Sequence, residues 1–148
     1  MASTSETTGM LIVCHGSPLR TANEGFIAMV DRIAERLGMS DVLPAFYAQV
    51  RPNLQDQIAE LASRGVNRIV VMPYFLFQGK HVGVDIPNIL AQCHEWFPSV
   101  TLELMPTLEN DPAVETAVVE RLMQGNLENR VLNENAKNLL STVVESKS

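Results

Sequence analysis

The sequence predicts an α/β fold, a parallel sheet with helices on both faces. Short apolar runs alternate with amphipathic stretches in the order βαβαβαβα. The run "NRIVVMPYFLF" is continuous enough in apolar residues to be a central strand covered on both sides. The chain's 148 residues, 46% hydrophobic and 19% charged, suit one ordinary core.

Each element follows from local pattern. Met10 to Cys14 is apolar and too short for a helix, so it reads as the first strand. From Asn23 to Leu37, apolar Phe26, Ile27, Val30, Ile33, Ala34 and Leu37 recur at three- and four-residue steps, and Gly38 supplies a stop. "DVLPAFYAQV" reads as the second strand, with Pro44 pushing it toward a sheet edge or a strand beginning. Pro52 and Asn53 open a helix carrying Leu54, Ile58, Leu61 and Ala62, which Gly65 ends. After the third strand, Asp85 is placed to cap a helix over Ile86 to Trp96, with Pro87 in its first turn. Val100 to Met105 reads as a fourth strand, and "ENDPAVETAVVERLMQG" as an amphipathic helix ending at Gly125. The expected organisation is a polar, flexible tail over residues 1–9, one domain over 10–125, and an extension over 126–148 that either docks as a helix or frays.

Composition narrows the function classes. A net charge of −6 without a basic block argues against a nucleic-acid partner. No run approaches the ~20 apolar residues of a membrane span, and "MASTSETTG" has neither the basic nor the apolar region of a secretory signal. A cytoplasmic protein without membrane association is expected. Cys14 and Cys93 form neither a disulfide framework nor a CxxC motif, so no iron-sulfur cluster is expected. GxxxxGK[ST] and GxGxxG are both absent, which leaves ATP and other nucleotides without a binding motif.

Two histidines stand where a parallel sheet places its ligands, beyond the carboxyl ends of the strands. His15 follows the first strand in "LIVCHGSP", and His81 follows the third in "FLFQGKHVGVDIP", between Gly79 and Gly83. Two imidazoles at one sheet edge can share a cation and exchange protons near neutrality. Loop histidines are also commonly solvated or structurally bonded, and spacing leaves both roles open. His94, on a helix beside Trp96, is expected to lie outside such a site. Cys14 as a thiol nucleophile is disfavoured, because neighbours on a strand point to opposite faces and His15 could not readily activate it. Ser17 lacks the GxSxG context of a nucleophile and reads as a turn or helix-entry residue.

The combination of "LIVCHGSP" with "AFYAQVRPNLQDQIAELASRGVNRIVVMPYFLFQGKHVGVDIP" resembles the small, single-domain sirohydrochlorin cobaltochelatases of the class II chelatases. The resemblance covers Met10 to Leu122 and is densest in P-x-F-L-x-x-G-x-H followed by D-I-P. It implies a flavodoxin-like, chelatase-like half-domain that pairs as a homodimer. The implied activity is ATP-independent insertion of cobalt, nickel or iron, as a divalent substrate, into sirohydrochlorin or a related tetrapyrrole. His15 and His81 match the two family histidines that hold the metal and assist proton removal. The substrate is acidic, so Arg20, Arg51 and Lys80 are candidates to meet its carboxylates, and Ser17 to add a hydrogen bond. Phe77, with Tyr74, Phe75 and Leu76, is a candidate wall for the ring, although strand alternation would send half of these inward. Two positions depart from the family pattern. Pro18 stands where an arginine is usual, and Ala48 where a glutamate usually follows the apolar pair of the second strand; Gln49 would face the other way in a regular strand. A metal- or tetrapyrrole-binding protein without turnover is the alternative on the same scaffold.

Overall fold

Alternation along the first strand sets the two-sided core. In the computed structural model, which describes residues 4–48 and 50–145, β1 (Thr8–Cys14) starts ahead of the apolar run. Leu11 and Val13 turn to one face and Ile12 to the other, and all three are buried. β2 (Val42–Phe46), β3 (Arg68–Pro73) and β4 (Thr101–Leu104) join β1 in a parallel sheet of order β2-β1-β3-β4. Pro44, which has no N–H to donate, pairs with Ile12 on the edge strand β2, where one side needs no ladder bonds.

The helices divide between the faces, as the sequence predicts. α1 (Arg20–Leu37) covers the Ile12 face through Val30, with Phe26, Ile33 and Ala34 packed beside it. Gly38 ends it in the left-handed conformation at φ 65°, where its N–H reaches the last turn's carbonyls. α2 (Leu54–Ser63) and α3 (Ile86–Trp96) cover the other face, where Leu54, Ile58, Leu61, Ile86, Leu90 and Cys93 meet Leu11, Val13, Ile69 and Val71. α2 begins with a reciprocal cap: Asn53 Oδ1 accepts from the Asp56 N–H at 2.8 Å, and Asp56 Oδ2 accepts from the Asn53 N–H at 3.0 Å. β3 is shorter than its apolar run. It stops at Pro73, so alternation does not govern Tyr74 to Phe77; Phe75 packs on the core while Tyr74, Leu76 and Phe77 are exposed.

A second compact unit comprises residues Asn110–Ser148. Its helix α4 (Pro112–Glu145) starts with the Asp111 carboxylate accepting from the Ala113 N–H at 2.8 Å. α4 continues through Gly125, where the sequence suggested a stop. Gly125 does not take the left-handed conformation of a terminating glycine, and an interior glycine costs a helix only about 1 kcal/mol relative to alanine. No helix among the described residues is long and apolar enough to cross a membrane.

Candidate metal centre

His15 leaves β1 through backbone that β2 continues to hold. The Tyr47 N–H donates to the Cys14 carbonyl at 2.8 Å and the Ala48 N–H to the His15 carbonyl at 3.1 Å. Gly16 then turns the chain at φ 89°, with the position of a Cβ only 3.2 Å from the Ala48 carbonyl and from Val50. Glycine meets both constraints; a side chain would strain the backbone and crowd the β2 end. Ser17 follows in a turn, as expected. Its Oγ accepts from the Leu19 N–H at 3.1 Å, and the Asn23 amide bonds both the N–H and the carbonyl of Ser17.

His81 lies on a helical turn, where the sequence reading placed a loop. Residues His81–Asp85 form one turn of π-helix directly ahead of α3, closed by the Ile86 N–H donating to the His81 carbonyl. Such turns are frequent at functional sites. The expected cap at Asp85 is corrected by the same geometry. Asp85 is itself helical at φ −70°, ψ −47° and bonds no backbone N–H of α3. Its Oδ2 accepts instead from the Tyr47 hydroxyl at 2.7 Å and from His81 Nδ1 at 3.0 Å. The hydrogen bond from Tyr47, then that from His81, holds the Asp85 carboxyl below the usual range, with the Lys80 charge adding to them. The same bond to Asp85 raises the Tyr47 phenol.

The sheet edge thus brings the two histidines together. Their ring centroids are 5.5 Å apart, and Tyr47 stands 4.6 Å from His81 and 5.9 Å from His15. Both imidazoles line one cavity of about 460 Å³ with Gly16, Ser17, Pro18, Tyr47, Ala48 and Val50. His15 Nδ1 lies 3.0 Å from the Gly16 carbonyl. Carbonyl and carboxylate oxygens only accept, so each Nδ1 carries the hydrogen and a neutral ring keeps its lone pair on Nε2. Two metal–nitrogen bonds of about 2.1 Å, with the ring radii added, bridge centroids up to about 6 Å apart, a span that includes the 5.5 Å between these rings.

Among the described residues no three His, Cys, Asp or Glu side chains are grouped to hold an ion. Ala48 lines the cavity at the position of the missing glutamate, and Gln49 lies outside the described residues. Of the candidate site residues, the cavity joins His15, Ser17 and His81. Arg20, Arg51, Phe77 and Lys80 do not line it. Arg20 is paired with Glu24 at 2.8 Å and Arg51 with Asp56 at 3.4 Å, both side chains pointing largely into solvent. Phe77 is 72% exposed, and Lys80 immediately precedes the π turn. His94 sits on exposed surface away from the cavity, as expected. Burial pushes the Cys14 thiol up, the opposite of an activated nucleophile. Sequence reasoning missed Tyr47 and Asp85 as site residues. The available signal was the four-residue step from His81 to Asp85, which places both on one helical face.

Comparison with known proteins agrees with this fold. The family model for CbiX matches residues 9–125. The chain is 32% identical over 96 residues to the chloroplastic sirohydrochlorin ferrochelatase of Arabidopsis thaliana, a span covering 65% of this chain and 43% of that one. It is 36% identical over 87 residues to the sirohydrochlorin cobaltochelatase of Methanosarcina acetivorans, covering 59% of this chain and 67% of that one. The match therefore spans less than half of the plant relative. Among solved structures, the sirohydrochlorin chelatase SirB of Bacillus subtilis subspecies spizizenii in complex with cobalt shares the fold. Its TM-score is 0.75 at 22% identity, over 79% of this chain and 50% of that one. SirB from Bacillus subtilis with Fe³⁺ superposes with a TM-score of 0.73 at 23% identity, over 77% of this chain and 45% of that one.

Proposed function

Because this chain belongs to the CbiX family, we propose that it inserts a divalent metal, cobalt, nickel or iron, into sirohydrochlorin or a related tetrapyrrole. The observation that carries the proposal is the pair of imidazoles 5.5 Å apart on one cavity. Insertion exchanges two pyrrole protons for one cation. The site must therefore strip water from the ion, release it to the ring, and receive protons. A two-imidazole set leaves coordination positions open for the incoming nitrogens, and its sparseness keeps the ion exchangeable. An imidazole that gives up the metal has a free lone pair for a pyrrole proton. The chemistry needs no nucleotide, since the metal–nitrogen bonds formed drive the exchange.

The remaining assignments belong to the same proposal. Lys80 and Arg51 flank the sheet edge that carries the cavity and attract substrate carboxylates, with Arg20 further along at the start of α1. Ser17 contributes a hydrogen bond from the cavity wall, and exposed Phe77 covers one side of the ring. A homodimer, in which a second copy closes over the macrocycle, and a cytoplasmic setting complete the reading. Light scattering that returns twice the 16.3 kDa chain mass supports the dimer; a monomer with full turnover contradicts it.

One observation favours binding without turnover, namely that with Ala48 in its wall the cavity is lined by no carboxylate among the described residues. An anaerobic absorbance assay of the protein with sirohydrochlorin and each of Co²⁺, Ni²⁺ and Fe²⁺ separates the two. Insertion above the no-protein blank establishes the chelatase and ranks its metals. Metal or macrocycle bound at the blank rate establishes the non-catalytic reading.

A further inference from the structure

We propose that Asp85 and Tyr47 are positioning residues that fix the tautomer and orientation of His81 and so set the affinity of the site for its metal. This inference rests on the metal-site reading above and adds two residues to it. The geometry is a three-member chain from two parts of the fold. Tyr47 follows the end of β2, His81 opens the π turn after β3, and Asp85 closes that turn. One oxygen, Asp85 Oδ2, takes hydrogen bonds from both the Tyr47 hydroxyl at 2.7 Å and His81 Nδ1 at 3.0 Å.

Each contact has a consequence. A carboxylate can only accept, so it stabilises the His81 tautomer with hydrogen on Nδ1 and the lone pair on Nε2. It also makes that lone pair a stronger donor, as carboxylates behind metal-bound histidines do. Tyr47 acts one step further out. Its hydroxyl holds the carboxylate, and its ring, 4.6 Å from that of His81, limits rotation of the imidazole. His15 takes its own Nδ1 partner from the backbone carbonyl of Gly16. The two ligands are therefore fixed by different means, and only His81 depends on side chains that substitution can remove. With no third ligand grouped at the site among the described residues, orientation of each imidazole weighs more than in a closed four-ligand centre.

The test uses the full chain and Co²⁺ alone as the probe, with two readouts: the nitrogen-15 side-chain spectrum of His81 in metal-free protein, and the Co²⁺ dissociation constant. The wild type is expected to show hydrogen on Nδ1 of His81. Asp85→Ala is expected to lose that tautomer preference and to weaken Co²⁺ binding by roughly 10- to 100-fold. Asp85→Asn, which keeps an acceptor oxygen, is expected to retain the tautomer at intermediate affinity. Tyr47→Phe is expected to keep the tautomer and weaken Co²⁺ by a few fold; should Asp85→Ala fail to fold by circular dichroism, this variant and Asp85→Asn decide. Wild-type Co²⁺ affinity in folded Asp85→Ala, or in both remaining variants, overturns the positioning role. His81→Ala separates the two levels of the account. If it abolishes Co²⁺ binding while Asp85→Ala binds Co²⁺ with wild-type affinity, positioning alone fails; if it binds Co²⁺ as the wild type does, the metal-site reading fails and the positioning role with it.

Discussion

The imidazoles of His15 and His81 face one cavity with ring centroids 5.5 Å apart, one fixed by a backbone carbonyl and the other by a carboxylate. β1 and β3 are hydrogen-bonded neighbours, so their carboxyl ends deliver the two side chains to the same point. Parallel pairing of adjacent strands thus turns two distant sequence motifs into one site.

Gly16→Ala should damage the site through the backbone. At φ 89°, with the Cβ position 3.2 Å from the Ala48 carbonyl, the substitution is expected to cost about 1–3 kcal/mol of stability. It should also displace the neighbouring His15 and weaken Co²⁺ binding. Urea denaturation and metal titration of the same sample check both; an unchanged midpoint with unchanged affinity would refute the strain argument.

Ala48→Glu should restore a third ligand. Ala48 lines the cavity beside both histidines, and a carboxylate there gives a two-His, one-carboxylate set suited to first-row divalent ions. Co²⁺ affinity is expected to rise by about tenfold or more, the equivalent of a single good ligand contact. The cobalt absorption spectrum should change with it. Affinity equal to that of the wild type would mean that the side chain does not reach the ion.

Cys93 makes stability depend on alkaline pH. It is fully buried under α3, and burial pushes its thiol above the ordinary range. The folded state therefore holds the thiol proton to higher pH than the unfolded chain, whose cysteines ionise near about 8.5. The stability this provides is complete below that value and is lost as pH rises toward the folded-state pKa. Denaturation curves at pH 7 and pH 9.5 should show a larger loss for the wild type than for Cys93→Ala. Equal losses would show that Cys93 does not contribute.

Much of the fold was legible because its signals are local. The apolar core of β1, the spacing of α1 before Gly38 and the opening of α2 at Pro52 and Asn53 depend on residues near one another in sequence, and the structure shows each of them; of the edge and strand-start positions that Pro44 allows, it shows the edge. The histidine pair was legible because strand order places both chain segments at one sheet edge. The errors arose where tertiary contacts override local preference. Asp85 has the composition of an N-cap, yet Tyr47, brought in from the far side of β1, supplies a donor that draws its carboxylate into the site. The apolar run after β3 promised a longer strand, but it ends at Pro73 and the following residues are held by the loop carrying Leu108, whose N–H donates to the Phe75 carbonyl at 3.0 Å. Gly125 has the residue type of a helix stop without the left-handed conformation that makes one.

The most direct test of the central claim compares the initial rate of Co²⁺ insertion into sirohydrochlorin, under anaerobic conditions, between the wild type and the His15→Ala/His81→Ala variant. Both side chains are exposed, so the variant should stay folded, with stability changed by about 0.5 kcal/mol or less per site. The account predicts that its rate falls by at least about 100-fold, as expected when proton-accepting ligands are removed, to the level of the no-protein blank. A folded double variant that inserts cobalt at the wild-type rate would contradict it.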